Sequence, residues 1–346
     1  MKPHPTRILQ RLLILAAAWL LTPNVMAFQA GWRQISVAGA TPAAASTTVA
    51  LYYPTQAPAR SIAMGPFTVN VAIHGAPEPS VKGLILLSHG TGGSELGHTS
   101  LAEALARHGY LVAALRHPGD NWQDRSMLLD RPTEYFSERP RHVTRLIDAL
   151  LRDPSWSERI ARDDRGPKVG VLGHSAGGFT VLALVGGQAD LSRIAAHCQA
   201  HRADDPIFCS TRTTSPTVSA SAALAEVAPQ PVADPRVRAV VAMAPLGLMF
   251  TAASLAGVRT PVLVYEAQDD RWLVPRFHAA WIAQNLPGAE LRRVANAWHF
   301  AFMDTPSMAI QSDDGDIGAD PPGFERAAFL KQLAIELPAY FDQALR

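Results

Sequence analysis

The sequence predicts an α/β protein built on a doubly wound, mostly parallel sheet. Short apolar runs suited to buried strands alternate along the chain with stretches whose apolar residues repeat at helical spacing. This alternation is typical of parallel strands joined by crossover helices. A second observation agrees with it: the apolar run Val169–Leu172 passes through a short glycine-containing turn directly into another apolar stretch. We therefore expect polar side chains that follow the strands to meet at one edge of the sheet.

The individual elements follow from the same patterns. Gly83–Ser88 is a continuous apolar run, as a central parallel strand should be. Arg141–Leu151 repeats its apolar residues at helical spacing. Two earlier runs, Val49–Tyr53 and Phe67–Ile73, alternate and predict edge strands in a hairpin-like arrangement. The further predicted strands are Tyr110–Ala114, Val169–Leu172, Val237–Met243, Pro261–Tyr265 and Leu291–Val294, and the further predicted helices are Leu101–His108, Pro275–Asn285 and Phe324–Phe341.

One segment, at about residues 187–235, breaks this pattern and is predicted to be a cap-like insertion. It is rich in Ala, Ser, Thr and Pro and shows no clear period. A long segment of this kind is usually functional or disordered, so a lid over the site and a surface excursion both stay open. It contains both cysteines of the chain, Cys198 and Cys209. We expect a disulfide between them, with two unrelated thiols as the alternative.

Composition and the N-terminal residues limit the possible classes of protein and indicate its compartment. The chain has 346 residues, a formal net charge of +1 and 48% hydrophobic residues, so charge gives no argument for a nucleic-acid partner. Lys2, Arg7 and Arg11 precede the apolar run Leu12–Leu21, and Ala27 suits a cleavage site. This pattern predicts a signal peptide over residues 1–27 and a periplasmic or secreted domain over residues 28–346. A retained membrane anchor is the alternative, but the apolar run is too short to span a bilayer comfortably.

Ser175 is the predicted nucleophile. It lies in Gly173-His174-Ser175-Ala176-Gly177, between a predicted strand and a predicted helix, which is the context of a nucleophile elbow. A glycine-rich turn with an ordinary capping serine is the alternative.

A serine nucleophile needs a base, and the base needs a carboxylate. The loop after Leu291–Val294 supplies His299 as the base, whereas the rival His278 lies inside a predicted helix. The loop after Pro261–Tyr265 supplies Asp270 as the acid, with Asp269 as the second choice. Glu266 comes too early, at the end of the strand.

The two predicted oxyanion donors are the backbone N–H groups of Thr91 and Ala176. Thr91 belongs to the glycine-rich loop His89-Gly90-Thr91-Gly92-Gly93. That loop is a weak candidate for binding phosphate, because no Gly-Lys-Ser/Thr sequence accompanies it. The polar and aromatic segment His117–Trp122 follows another strand and predicts either a wall of the substrate pocket or a plain turn.

Together these motifs resemble a known family. Six short sequences occur in its order: Leu51-Tyr52-Tyr53-Pro54, Gly65-Pro66-Phe67, Ser88-His89-Gly90-Thr91-Gly92-Gly93, His117-Pro118-Gly119-Asp120-Asn121, Gly173-His174-Ser175-Ala176-Gly177-Gly178 and His299-Phe300-Ala301-Phe302. The chain resembles the bacterial "predicted dienelactone hydrolase" group of α/β-hydrolases, which is similar to platelet-activating-factor acetylhydrolases. The resemblance implies an α/β-hydrolase fold with nucleophile Ser175, acid Asp270, base His299, and oxyanion donors Thr91 and Ala176.

One departure bears on the activity. True dienelactone hydrolases carry cysteine at the nucleophile position, where this chain has Ser175. The resemblance therefore implies general hydrolysis of small carboxylic esters, with no metal or organic cofactor required. An amidase or peptidase could use the same residues, and a non-catalytic binding protein with this fold would be expected to carry a damaged triad.

Overall fold

A mixed sheet of ten strands forms the framework of the molecule. The computed structural model describes residues 28–213 and 231–346. The predicted signal peptide and residues 214–230 of the predicted insertion lie outside these described residues. Within the described ranges, no helix has both the length and the apolar character that a membrane span requires.

The strands, in chain order, are β1 (Gln29–Val37), β2 (Thr47–Thr55), β3 (Arg60–Met64), β4 (Phe67–Ile73), β5 (Leu84–Ser88), β6 (Leu111–Arg116), β7 (Val169–His174), β8 (Val237–Met243), β9 (Val262–Ala267) and β10 (Glu290–Val294). Their order across the sheet is β10-β9-β8-β7-β5-β6-β2-β1-β4-β3. The six strands from β10 to β6 in this order run parallel to one another. Strand β2 pairs antiparallel with both β6 and β1.

The helices are α1 (Thr99–Arg107), α2 (Ser126–Asp130), α3 (Pro132–Arg152), α4 (Pro154–Ser157), α5 (Ala176–Ala183), α6 (Ser192–His201), α7 (Pro206–Thr213), α8 (Ala252–Ala256), α9 (Ala279–Asn285) and α10 (Arg326–Ala344). They cover both faces of the sheet. Residues of α3, α5 and α9 pack in one hydrophobic core, and residues of α1 and α10 pack in the other. Because both faces are covered, the central parallel strands are largely apolar, as in Leu84–Ser88, which is buried throughout. The outermost parallel strand, β10, is partly exposed and carries Glu290, Arg292 and Arg293.

The predicted class and all six predicted parallel strands are confirmed, but the prediction of two edge strands in a hairpin-like arrangement was wrong. Val49–Tyr53 lies in β2, which pairs with β1 and β6. Phe67–Ile73 is β4, which pairs with β1 and β3, so neither segment is an edge strand and the two do not pair with each other. The misreading arose because β1, which lies between β2 and β4, was not predicted. Part of the insertion is also more regular than expected, since α6 and α7 fall within it.

Candidate active site

Ser175 lies at the end of β7, where the central strand turns into α5. Its backbone has φ of 58° and ψ of −118°, a conformation that residues with side chains rarely adopt. The N–H of Ser175 donates to the carbonyl oxygen of Met243 at 3.0 Å, and its own carbonyl accepts from the Leu246 N–H at 3.0 Å. These bonds hold the strained turn against the end of β8, so the hydroxyl stands at the carboxyl edge of the sheet.

The tight turn explains the glycines two positions on either side of Ser175. A Cβ at Gly173 would overlap the carbonyl oxygen of Gly177. A Cβ at Gly177 would overlap the carbonyl oxygen of Ser88 in β5. Helix α5 and strand β5 therefore approach at a distance that only glycine allows, and this is the steric requirement of a nucleophile elbow.

His299 and Asp270 meet Ser175 in one line of hydrogen bonds. The Oγ of Ser175 lies 2.9 Å from Nε2 of His299, and Nδ1 of His299 lies 2.7 Å from Oδ2 of Asp270. An ionised carboxylate only accepts, so the Nδ1–H donates to Asp270 and Nε2 is left to accept the Ser175 hydroxyl proton. Asp270 and His299 are both buried. The structure thus brings together the three residues predicted as nucleophile, base and acid.

The competing carboxylates stand elsewhere. Oδ1 of Asp270 accepts from the N–H groups of Trp272 and Leu273, each at 2.8 Å, which orients the carboxylate toward His299. Asp269 is exposed. Glu266 is buried within β9 and forms an ion pair of 3.2 Å with Arg293. Of the three candidates, only Asp270 reaches the histidine.

The other histidines near the site are uncharged at neutral pH. Burial is the main cause that lowers the pKa of His89 to about 4 and that of His98 to about 3. Burial also lowers the pKa of His174, whose Nε2–H donates to the carbonyl oxygen of His299 at 2.9 Å. The rival His278 lies at the junction before α9, where its Nδ1 accepts from the Gly247 N–H at 3.2 Å. These side chains support the site instead of contacting the Ser175 hydroxyl.

The two predicted oxyanion donors, the N–H groups of Ala176 and Thr91, belong to segments that border the cavity at Ser175. Ala176 is the first residue of α5, where an N–H has no partner within the helix. Thr91 lies in the glycine-rich loop after β5, and that loop and Ser175 line the same cavity. Neither N–H donates to a backbone carbonyl of the described residues. The Thr91 hydroxyl is engaged with the Tyr135 hydroxyl at 2.7 Å, which anchors the loop to α3.

The segment His117–Trp122 was expected either to line the pocket or to form a plain turn, and it forms a turn in which the Asp120 N–H donates to the His117 carbonyl oxygen at 3.2 Å. Among the described residues that line the cavity, none comes from this segment. His117 and Asp120 are fully buried. The N–H of His117 donates to Nε2 of His89 at 3.1 Å, and Oδ1 of Asp120 accepts from the Gly92 N–H at 2.9 Å. The segment therefore supports the glycine-rich loop from behind.

Sequence reasoning missed the partner of Asp120, which is Arg139 of α3. The two side chains form an ion pair, and both are fully buried. The Arg139 guanidinium also donates to the carbonyl oxygen of His89. The sequence does not indicate that Arg139 is buried, because Arg139 lies in a helix with the pattern of an amphipathic helix. Asp120, which follows a Pro-Gly turn, could have suggested a buried partner.

A cavity of about 480 Å³ opens over Ser175 and His299. Its wall is mostly apolar, and it includes Leu246, Leu273, Trp272, Phe300 and Met303. Arg125 and Asp313 add charge to the lining. A volume of this size and an apolar wall suit a small organic substrate. Within the described part of the chain, no group of three or more His, Cys, Asp or Glu side chains is arranged to hold a metal ion.

The described part of the insertion reaches this cavity through Phe208 of α7. Cys198 and Cys209 form the expected disulfide, which joins α6 to α7. Asp205, between the two helices, is fully buried and accepts from Nε2 of His197 at 3.0 Å. Its Oδ2 also lies 3.4 Å from Nε2 of His278, so the insertion is tied to the start of α9.

Removal of this disulfide should destabilise the protein without touching the triad. The bridge spans a sequence separation of 11 residues. Chain-entropy models give about 3 kcal/mol for a loop of this length, so Cys198→Ser with Cys209→Ser should lower the free energy of unfolding by up to that amount. Urea denaturation measures the change. A reductant should produce the same loss in the wild type and none in the double variant; an equal response in both proteins would contradict the prediction.

Comparisons with known proteins complete the description of the site. Residues 84–310 match the model of a family described as "Alpha/beta hydrolase family". Two cutinases of Thermobifida alba are 32% and 31% identical to the chain over 114 residues. That stretch is 33% of this chain and 34% and 33% of theirs, so the match spans about a third of these curated relatives.

Two solved structures are similar over nearly the whole chain. A ferulic acid esterase from Streptomyces cinnamoneus superposes with a TM-score of 0.59 and 21% identity, over 94% of this chain and 92% of that one. A dienelactone hydrolase from Anabaena variabilis superposes with a TM-score of 0.51 and 16% identity, over 92% of this chain and 100% of that one. At these identities the likeness shows a shared fold.

Proposed function

The chain belongs to the alpha/beta hydrolase family, and from this premise we propose that it hydrolyses small carboxylic esters through Ser175, His299 and Asp270. The observation that carries the proposal is the unbroken line of hydrogen bonds, 2.9 Å from Ser175 to His299 and 2.7 Å from His299 to Asp270. The named activities of the relatives, two cutinases and a ferulic acid esterase, are consistent with ester substrates.

The proposed reaction follows from these contacts. Oγ of Ser175 attacks the ester carbonyl carbon while Nε2 of His299 takes the hydroxyl proton. The carbonyl oxygen becomes an oxyanion and accepts from the N–H groups of Thr91 and Ala176. The tetrahedral intermediate then collapses, the C–O bond to the alcohol breaks, and His299 gives its proton to the departing alcohol. Asp270 stabilises the imidazolium during both transfers.

Water completes the cycle by the same steps. A water molecule replaces the alcohol and loses a proton to His299 as its oxygen attacks the acyl-enzyme carbonyl. A second oxyanion forms between the same two N–H groups, and its collapse breaks the bond to Ser175. His299 returns the proton to Oγ, so serine and the free acid are restored. Only this chain, the substrate and water take part in the proton transfers.

Turnover of p-nitrophenyl esters of graded acyl length tests the function. We expect hydrolysis of short and medium esters because the cavity over Ser175 is about 480 Å³ in volume and apolar side chains form much of its wall. The matching p-nitroanilides separate esterase from amidase or peptidase activity. Faster turnover of the anilides would indicate an amidase or peptidase in place of an esterase. Release of p-nitrophenol at equal rates by the wild type and Ser175→Ala would refute catalysis by Ser175.

We also propose that the described part of the insertion before residue 214 forms one wall over the site. Phe208 lines the cavity, and the Asp205–His278 contact fastens the segment next to the loop that follows Ser175. Because Gly247 donates to His278 and Leu246 donates to Ser175, the anchor lies only a few hydrogen bonds from the nucleophile. The wall would then select among substrates without taking part in the chemistry. The dependence of KM on acyl length in the p-nitrophenyl ester series measures this selection.

Export is the last part of the proposal. The disulfide is compatible with an oxidising compartment, and the charged and apolar residues before Ala27 fit a cleaved leader. We expect the mature protein in the periplasm or medium to begin at Phe28. N-terminal sequencing of that fraction checks the prediction, and an uncleaved chain recovered only from membranes would contradict it.

A further inference from the structure

Arg139 and Asp120 form an ion pair in the protein interior, where the desolvation penalty of a charge is largest. Both side chains are fully buried, and Arg139 lies inside helix α3. A buried pair of this kind is weak evidence for stability, because desolvation offsets much of the attraction between the charges. The proposed reaction does not use either residue, so their contacts need another explanation.

The first set of contacts holds the loop that carries Thr91. The Arg139 guanidinium donates to the carbonyl oxygen of His89. Asp120, its partner in the ion pair, accepts from the Gly92 N–H at 2.9 Å. His89 and Gly92 flank the short stretch in which Thr91 lies, so the peptide N–H of Thr91 is presented from a segment that is held at both ends.

The second set of contacts reaches the helix that follows Ser175. Nε of Arg139 donates to Oγ1 of Thr180 at 3.1 Å. The Thr180 hydroxyl in turn donates to the carbonyl oxygen of Ala176 at 2.9 Å. Thr180 is fully buried, and Ala176 is the residue whose N–H is the other oxyanion donor. One guanidinium is therefore bonded to both elements that carry the donors.

We propose that the Arg139–Asp120 pair is a positioning device that sets the distance and angle between the Thr91 and Ala176 N–H groups. The inference rests on the proposed function, because it concerns the oxyanion hole of that same reaction. Such a hole stabilises the transition state only when both donors are already aimed at the developing oxyanion. Neutral side chains could fill the same space, whereas the planar guanidinium of one arginine bonds the glycine-rich loop and helix α5 at a fixed separation.

Two variants loosen the device from opposite sides. Asp120→Asn removes the charge that holds Arg139 beside the Gly92 N–H. Thr180→Val is nearly isosteric and leaves the ion pair intact, but it removes both hydrogen bonds of the hydroxyl, the one accepted from Nε of Arg139 and the one donated to the Ala176 carbonyl oxygen. It keeps the test available if Asp120→Asn does not fold. Thr180→Ser keeps the hydroxyl and should restore activity. Asp163→Asn is the matched control for loss of a carboxylate that pairs with an arginine, since Asp163 pairs with Arg238 at 2.7 Å at the opposite end of β8.

The expected result is a loss in kcat with KM nearly unchanged, because the bound ester has no oxyanion and the charge develops only as the reaction approaches the transition state. Removal of a whole oxyanion donor lowers kcat by about 10²–10³-fold, so a displaced donor should lower it by roughly 10–100-fold. Activity is expressed per active site, with sites counted by complete labelling with a fluorophosphonate. Asp163→Asn and Thr180→Ser should stay within about twofold of the wild type by the same measure.

A trifluoromethyl ketone that matches the best p-nitrophenyl ester supplies a second measurement. Its adduct with a serine carries an oxyanion, so its inhibition constant should rise in proportion to the fall in kcat/KM across the variants. A purely structural role would reduce the number of labelled sites and leave both constants per site unchanged, and that outcome would overturn the inference. If the wild type itself showed no turnover that depends on Ser175, the proposed function would fail first, before any variant is compared.

Discussion

Ser175→Ala should reduce ester turnover on the order of 10⁶-fold, to the rate that the oxyanion hole and substrate binding sustain without a nucleophile. The substitution removes the hydroxyl oxygen that lies 2.9 Å from His299 Nε2 and is proposed to attack the substrate. It retains a Cβ, so the backbone of the turn is not released and the fold should be unchanged. Initial rates with p-nitrophenyl esters measure the loss, and circular dichroism checks the fold.

Labelling offers an independent control for this variant. A fluorophosphonate should modify Ser175 of the wild type and no other serine, and Ser175→Ala should take up no label. A loss of tenfold or less would correspond to only about 1.4 kcal/mol of transition-state stabilisation and would be incompatible with nucleophilic catalysis by Ser175.

Asp270→Asn should lower kcat about 10⁴-fold while the protein stays folded. The carboxylate accepts the Nδ1–H of His299 at 2.7 Å and thereby leaves Nε2 free to take the serine proton. An amide at this position can donate instead, which favours the wrong imidazole tautomer. Single-turnover kinetics with a p-nitrophenyl ester measure the rate of acylation directly.

Asp269→Asn is the matched control, because Asp269 is the adjacent residue of the same type and its side chain is exposed. Its effect on kcat should be less than about threefold, as for other surface substitutions. A large loss for Asp269→Asn together with a small one for Asp270→Asn would show that the wrong carboxylate has been assigned to the triad.

The sequence predicts much of the site because the chemistry is tied to the strands. Ser175, Asp270 and His299 each follow a strand of the parallel part, and such strands deliver their following residues to one edge. Hydrophobic patterning locates the strands, and the demand for nucleophile, acid and base selects among the residues behind them. The choice between Asp270 and Asp269 needed coordinates, because neighbouring loop residues point in directions that no periodicity encodes.

The remaining features lacked such a signal. Strand β1 holds Gly31, Arg33 and Gln34 among its apolar residues and is only partly buried, so its alternation is faint. Without β1, the pairing of β2 and β4 could not be inferred. Arg139 is equally hidden, because a charged residue in an amphipathic helix reads as part of its solvated face. Its burial depends on Asp120, and only the tertiary fold brings that residue within reach.

The backbone of Ser175 has a consequence for how this protein could evolve. A residue with a side chain at φ of 58° and ψ of −118° carries strain of about 1–3 kcal/mol, which the surrounding structure must absorb. Glycine would adopt the same angles at little cost. Selection for thermostability alone would therefore favour glycine at position 175 and discard the hydroxyl, so retention of serine there marks a compromise in which folding stability is sacrificed for reactivity.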